Sequence, residues 1–407
     1  MKFTHLNNTI TLASLCLLFV GIPFSRFLAS IGMGLVLLTW LISGNYQGKW
    51  QRVRNNRLSL PVFLLWLLTF VASLWSVGDW ETIAKQFYIY SRLLWFFLIV
   101  SLIQSSQHQK WAWWAFLAGC TINILMGLVI AFTPPTRFGS IVHLIKSAHG
   151  TVLSNYNAQG AILAFFAAAC FVYMLSSQTK WIKALCALFF ALAIANSAFF
   201  SQSRSGFVVT VLAVLAVISA SVNKDKRIAL GVGILAVLIG LAYFSPMMYS
   251  RFAHSITEIN QYFTTGNFET SAGYRIEMWR RGIDFFLSSP FWGHGTGSYY
   301  KLASEVYTAD QCAEACNHPH NQFLFFAVEF GAMGVGLFVY WFYKMLDRAM
   351  MCARDQDRYL WIAFVVIFLA ECFLNLPLFS SSERIFFICL MGLLASSRYT
   401  YTSKQPV

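Results

Sequence analysis

HPHNQFLFFAVEFGAMGVG, residues 318–336, opens with two histidines and an asparagine and then turns apolar. Followed to Tyr343, the run holds a single charged residue, Glu329. A spanning helix takes about 20 mostly apolar residues, so this stretch is long enough to cross a bilayer. In lipid every backbone polar group needs an internal partner, so such a span is helical. The rest of the chain has the same character. Of its 407 residues, 58% are hydrophobic and 11% charged, against roughly 25% charged in soluble domains. The reading is an all-α integral membrane protein.

Working outward, twelve apolar runs are expected, at roughly 9–24, 27–43, 59–77, 86–104, 111–132, 158–176, 184–200, 206–222, 228–244, 321–343, 359–376 and 384–397. The first is followed closely by the second, so it reads as a retained span rather than a cleaved leader. An even number puts both termini on one side. Lys49/Arg52/Arg54/Arg57, Lys180/Lys183, Lys224/Lys226/Arg227 and Lys344/Arg348/Arg354/Arg358 all fall on that side. Basic loops mark the cytoplasm, so the inner membrane of a bacterium, with cytoplasmic termini, is expected. The chain divides into residues 1–244 (nine spans), 245–320 (one long external loop) and 321–407 (three spans and the C-terminus). The loop is short for an independent domain and is expected to lie on the membrane face as helices.

The net charge is +13. In a soluble protein that balance would suggest nucleic acid; here basic loops account for part of it, and no nucleic acid is expected. The external face still holds Arg137, Lys146, Arg204, Arg251, Arg275, Arg280, Arg281 and Lys301. Arg204 lies in FFSQSRSGFVV, between two apolar runs. It reads either as an arginine snorkelling to headgroups or as part of an anion site. SAGYRIEMWRRGIDFFLSSP, residues 271–290, has helical periodicity. Ile276, Trp279, Ile283, Phe286 and Leu287 share one face, while Glu277, Arg280, Arg281 and Asp284 form a solvated face. Arg275 falls at the edge of the apolar face, either as a stray first-turn charge or aimed at what the helix covers. Two guanidiniums in one cavity suit a phosphate or pyrophosphate, whose oxygens they bind in pairs.

Cys312, Cys316, His318 and His320 lie close together. Their spacing is not a standard zinc pattern, and a Cys312–Cys316 disulfide suits an oxidising exterior better. His320 alone reads as a helix-end histidine or as a group that accepts a proton near neutrality. Gly293-His-Gly-Thr-Gly lacks the ending of a phosphate-cradling loop and reads as a flexible turn. Paired acids within the spans are missing. Glu371 and Asn375, one turn apart, are expected to face the bundle interior.

These residues resemble the bacterial O-antigen ligases of the ligase/polymerase superfamily. His320-Asn321, nine residues, Gly331, two residues and Gly334 follow the ligase pattern H-[NSQ]-x9-G-x2-G. SRSG at 203–206 is similar to the arginine motif before the eighth span. GYRIEMWRRGIDFFLSSPFWGHGTGSY resembles the R-x3-W segment, and HGTVLSNYNAQGAILAF the N-x-N-x-x-A segment. The resemblance covers residues 149–345 and implies a GT-C-like, metal-independent, inverting glycosyltransferase without cofactor. It would move O-antigen from undecaprenyl pyrophosphate to lipid A–core at the periplasmic face, among membrane lipids. His320 would be the base, and Arg204 and Arg275 would hold the pyrophosphate. Asn321, Arg137, Lys146, Arg280, Arg281 and His318 are further candidates for substrate contact. An O-antigen polymerase, a protein O-oligosaccharyltransferase and a lipid-linked oligosaccharide transporter are the rival readings.

Overall fold

The computed structural model describes residues 2–132, 152, 153, 155–201 and 203–396, with side chains from Asn7 onward. Its helices are α1 (Lys2–Phe24), α2 (Arg26–Ile42), α3 (Tyr46–Arg54), α4 (Ser59–Val71), α5 (Trp80–Ser91), α6 (Trp95–Leu102), α7 (Ser106–Phe132), α8 (Tyr156–Ser176) and α9 (Lys180–Ala195). They continue as α10 (Arg204–Ser221), α11 (Lys224–Phe244), α12 (Pro246–Thr265), α13 (Ser271–Ser288), α14 (Ser298–Ser304), α15 (Ala309–Ala315), α16 (Gln322–Met350), α17 (Asp355–Leu374) and α18 (Ser381–Ala395). No strand occurs among the described residues.

Each apolar run lies largely in helix, but fewer than twelve of the helices are by themselves long and apolar enough to cross a membrane. Among the described residues, eight helical stretches are long and apolar enough to cross a membrane, or nine if α2 and α3, bent by 117°, are one span. The other runs fall on helices that are short or carry charge. α4 stops after 13 residues, α18 has 15 and carries Glu383 and Arg384, and α17 carries Asp355, Asp357, Arg358 and Glu371. Glu371, Glu383 and Arg384 are buried against neighbouring helices. Shielding by protein makes such groups tolerable at membrane depth.

α8 is the central helix. It is rich in alanine and buried from Ala158 to Val172. Small residues let helices approach closely in a membrane. A Cβ on Gly160 would lie 2.7 Å from the Cα of Gly206, which fixes the crossing of α8 and α10. α11 is peripheral and presents Ile228, Val232, Val237 and Ile239 outward. Between Ser245 and Gln322 the chain folds as α12 to α15. Ser245 caps α12, with Pro246 in its first turn and Gly266 closing it at φ 72°. That is the usual asymmetry of helix ends.

α16 is not one continuous helix. Gly331 has φ 62° and ψ −158°, and the helix breaks there. The segment Pro290–Gly297 fills the break. Ala332 N–H donates to Pro290 O at 2.7 Å, His294 N–H to Val328 O at 2.9 Å and Gly295 N–H to Glu329 O at 2.8 Å. Gly297 N–H donates to the Glu329 carboxylate at 2.9 Å. On its other side, Thr296 Oγ1 donates to Thr69 O at 2.6 Å and Ser76 Oγ to Thr296 O at 2.7 Å. The GHGTG stretch, expected as a flexible turn, is therefore clamped between α4 and α16. Irregular backbone at this depth persists because protein groups satisfy it. Glu329 is accounted for as the acceptor that holds the stretch.

Candidate active site

Three helix starts and one loop converge on the side where α12–α15 lie. Asn155 caps α8, accepting from Asn157 N–H at 2.9 Å, and Ser203 caps α10, accepting from Gly206 N–H at 2.9 Å. Asn321 caps α16, accepting from Leu324 N–H at 3.0 Å. The Asn321 side-chain oxygen is thus committed to the cap.

Arg204 follows its cap directly and reaches across to α12 and α13. Its guanidinium donates to Ser255 Oγ, to Arg251 O at 3.3 Å and to Ser271 Oγ at 3.3 Å. All three acceptors are neutral. Arg275, one turn into α13, has no hydrogen-bond or ion-pair partner among the described residues. Burial lowers its affinity for its proton, and the positive charge of Arg204 adds to that effect. Tyr156, Glu371 and Glu258 act in the opposite direction. A guanidinium stays protonated in proteins, so the site keeps two arginine charges facing one another's field.

The R-x3-W spacing has a geometric use. Arg275 and Trp279 are four apart and stack on one side of α13. Trp279 Nε1–H donates to Pro319 O at 2.9 Å, between the two histidines. The His318 and His320 rings meet edge to face with centroids 4.5 Å apart, and His318 meets Phe379 at 5.0 Å. His320 has φ 51°, in the left-handed region, where only Asn45 joins it among the described non-glycine residues. Such backbone is held only by its surroundings and is common where a side chain must be aimed. Burial, then the His318 charge and then Arg275, push His320 down to about 3. Burial chiefly, with Lys85 and Arg275 adding, pushes His318 down to about 4. Both imidazoles are neutral at pH 7 and available as acceptors.

Beneath the arginines lies a polar network inside the bundle. Asn375 Nδ2 donates to Glu371 Oε2 at 2.6 Å and to Ser205 Oγ at 3.2 Å. Ser203 Oγ and Ser205 Oγ donate to Asn157 Oδ1 at 3.0 and 3.2 Å. Glu383 on α18 feels the charge of Glu371 on α17.

One other expectation is corrected. Glu277 is buried, not solvated, and it holds both arginines read as substrate contacts. Arg280 Nη2 lies 2.5 Å from it and Arg281 Nε 2.9 Å, and Tyr262 donates to it at 3.0 Å. Arg280 and Arg281 are bound to that carboxylate because it shares their helix at three- and four-residue spacing. Cys312 and Cys316 are bonded to each other. No group of three or more His, Cys, Asp or Glu among the described residues is arranged to hold a metal ion. Arg137 and Lys146 lie outside the described residues.

Comparison with known proteins adds a family match. Residues 189–339 match the family model described as O-antigen ligase. The matched stretch contains Arg204, Arg275, His320, Gly331 and Gly334. No curated protein matches. Six chains of solved structures match. One comes from the study titled "Structural coordination of polymerization and crosslinking by a peptidoglycan synthase complex", at 16% identity and a TM-score of 0.49, over 83% of this chain and 96% of that one. A likeness of that degree supports no inference about this protein.

Proposed function

We propose that this chain, whose residues 189–339 carry the O-antigen ligase signature, is a glycosyltransferase that takes O-antigen from undecaprenyl pyrophosphate and attaches it to lipid A–core. The observation that carries the reading is Arg275: a half-buried guanidinium without an acceptor among the described residues, beside a second arginine bound only to neutral oxygens. A cationic site of this kind is suited to a pyrophosphate.

The reaction is a single displacement at the anomeric carbon. The acceptor hydroxyl oxygen forms the new glycosidic bond, and the bond from the anomeric carbon to the pyrophosphate oxygen breaks. The hydroxyl proton passes to neutral His320. Arg204 and Arg275 balance the charge that grows on the leaving pyrophosphate. Inversion follows from the single step. No metal enters this scheme, because the two guanidiniums fill that electrostatic role. In this reading α12–α15 face the periplasm, the fold is of the GT-C kind and twelve helical segments cross or enter the inner membrane.

The test uses purified protein, undecaprenyl-pyrophosphate-linked O-antigen and lipid A–core, with a chelator and no nucleotide. Laddered lipopolysaccharide on a gel is expected from wild type. His320→Ala is expected to lose activity by about 10²–10⁴-fold, the usual worth of a general base. A product lengthened on the donor lipid with lipid A–core left unused would instead identify a polymerase.

A further inference from the structure

The opposite face of the molecule holds a second built site. α3, with the sequence YQGKWQRVR, turns 117° from α2. Gly44 and Asn45 make the elbow at φ 60° and 46°. Beneath α3 lies a cavity of about 630 Å³ lined by Trp40, Lys49, Phe63, Leu94 and Phe97, with Arg54 also in its lining.

Lys49 is only 2% exposed. Its ammonium donates to Trp40 O at 2.5 Å and sits 5.0 Å from the Trp40 ring centroid and 4.5 Å from that of Tyr46. Among the described residues no carboxylate pairs with it, and Arg52 adds a like charge. A buried charge without a counter-charge is costly. Arg54 is exposed and makes no ion pair among the described residues. Trp50 and Tyr46 are 64% and 52% exposed, as aromatic residues are at a membrane interface.

We infer that this cavity binds one anionic phospholipid, with the phosphate between Lys49 and Arg54 and an acyl chain in the chamber against Phe63, Leu94 and Phe97. The arrangement asks for both halves of such a molecule. A soluble anion would leave the apolar chamber empty, and a lipid without net charge would leave Lys49 uncompensated. Basic pockets between helices at this depth suit acidic lipid headgroups. α4 starts at this chamber, through Ser59, Leu60 and Phe63, and its other end holds Thr296. An occupied chamber therefore braces the helix that clamps the 290–297 segment.

The experiment is native mass spectrometry and thermal melting of the full chain in detergent, with phosphatidylglycerol, phosphatidylethanolamine or undecaprenyl phosphate added. Wild type is expected to retain one phosphatidylglycerol and to melt several degrees higher with it than with phosphatidylethanolamine. Lys49→Gln and Arg54→Gln are each expected to weaken retention about tenfold, the worth of one charge-assisted hydrogen bond. Arg54 is exposed, so its variant keeps the test valid if Lys49→Gln does not fold. Equal stabilisation by phosphatidylethanolamine would overturn the assignment. So would undisturbed retention in Arg54→Gln, or displacement of phosphatidylglycerol by undecaprenyl phosphate.

Discussion

The indole of Trp279 donates its Nε1–H to the carbonyl of Pro319 at 2.9 Å, tying the helix that carries Arg275 to the loop that carries His318 and His320. One hydrogen bond thus couples the helix of Arg275 to the loop of the proposed base, His320. Trp279→Phe keeps the ring but loses the donor. A bond of this kind is worth about 1 kcal/mol, so melting should move little. The turnover rate in the ligation assay is expected to fall roughly five- to tenfold, since misplacement of a reacting group costs rate steeply. An unchanged rate would show that the histidines are placed by other contacts.

Gly331 is required by its backbone. A Cβ there would lie 2.4 Å from the carbonyl carbon of Phe291, at a φ that L side chains avoid. Gly331→Ala should expel the 290–297 segment from the helix break. Destabilisation of at least about 2 kcal/mol is expected, from strain and lost backbone bonds together. The check is the melting temperature of purified protein beside Gly336→Ala, where an added Cβ meets nothing within 4 Å.

The pH dependence follows from the two histidines. In the free site His320 titrates near 3 and His318 near 4, both below the ordinary 6.5. Above those values each is neutral and can accept a proton; below them His320 is charged and cannot. A bound pyrophosphate brings negative charge beside His320 and offsets Arg275, so it raises that value. The acid limb of kcat, which reports the complex, should therefore lie at higher pH than that of kcat/KM. Coincident limbs would remove His320 as the titrating base. Linkage has the same origin. Between about 3 and 6.5 the unfolded chain binds more protons at these histidines, so stability is full above 6.5 and falls as the medium is acidified through that range.

Arg280 and Arg281 serve Glu277. Hydrogen bonds from Arg280 chiefly hold the Glu277 carboxylate down at about 2. Its contribution to stability is present above about 4.5 and is lost as pH falls toward 2. Glu277→Ala removes the acceptor of three side chains and should cost about 2–4 kcal/mol. Arg280→Ala leaves Arg281 and Tyr262 in place and should cost less than half of that. If Arg280→Ala raises the donor KM tenfold while melting is unchanged, Arg280 contacts substrate after all.

The Cys312–Cys316 bond closes α15, whose start is held by reciprocal bonds between Thr308 and Gln311. Cys316 is buried two residues before His318. Reduction should loosen the approach to His320 and lower the ligation rate several-fold, because a cross-link narrows the conformations of the chain it closes. Cys312→Ser should behave like reduced wild type. Activity indifferent to both would limit the bond to holding α15.

The sequence by itself determined the helical membrane class and the cluster of unexplained cations. Apolar run length and charge placement are local properties that a bilayer reads residue by residue. Arg204, Arg275 and His320 each kept an ordinary local reading, and the resemblance to the ligases singled them out. Only the tertiary structure decided which of these share a site. Periodicity set Arg275 apart from Arg280, but only the fold shows that Glu277 takes Arg280 and leaves Arg275 open. Glycines 293–297 read as a loose turn because their partners, Val328, Glu329, Thr69 and Ala72, are distant in sequence. Glu371 acts on Glu383 only when α17 and α18 pack. A partner that is remote along the chain leaves no periodicity to read. The cationic site therefore becomes visible only once each guanidinium and its neighbours are placed together.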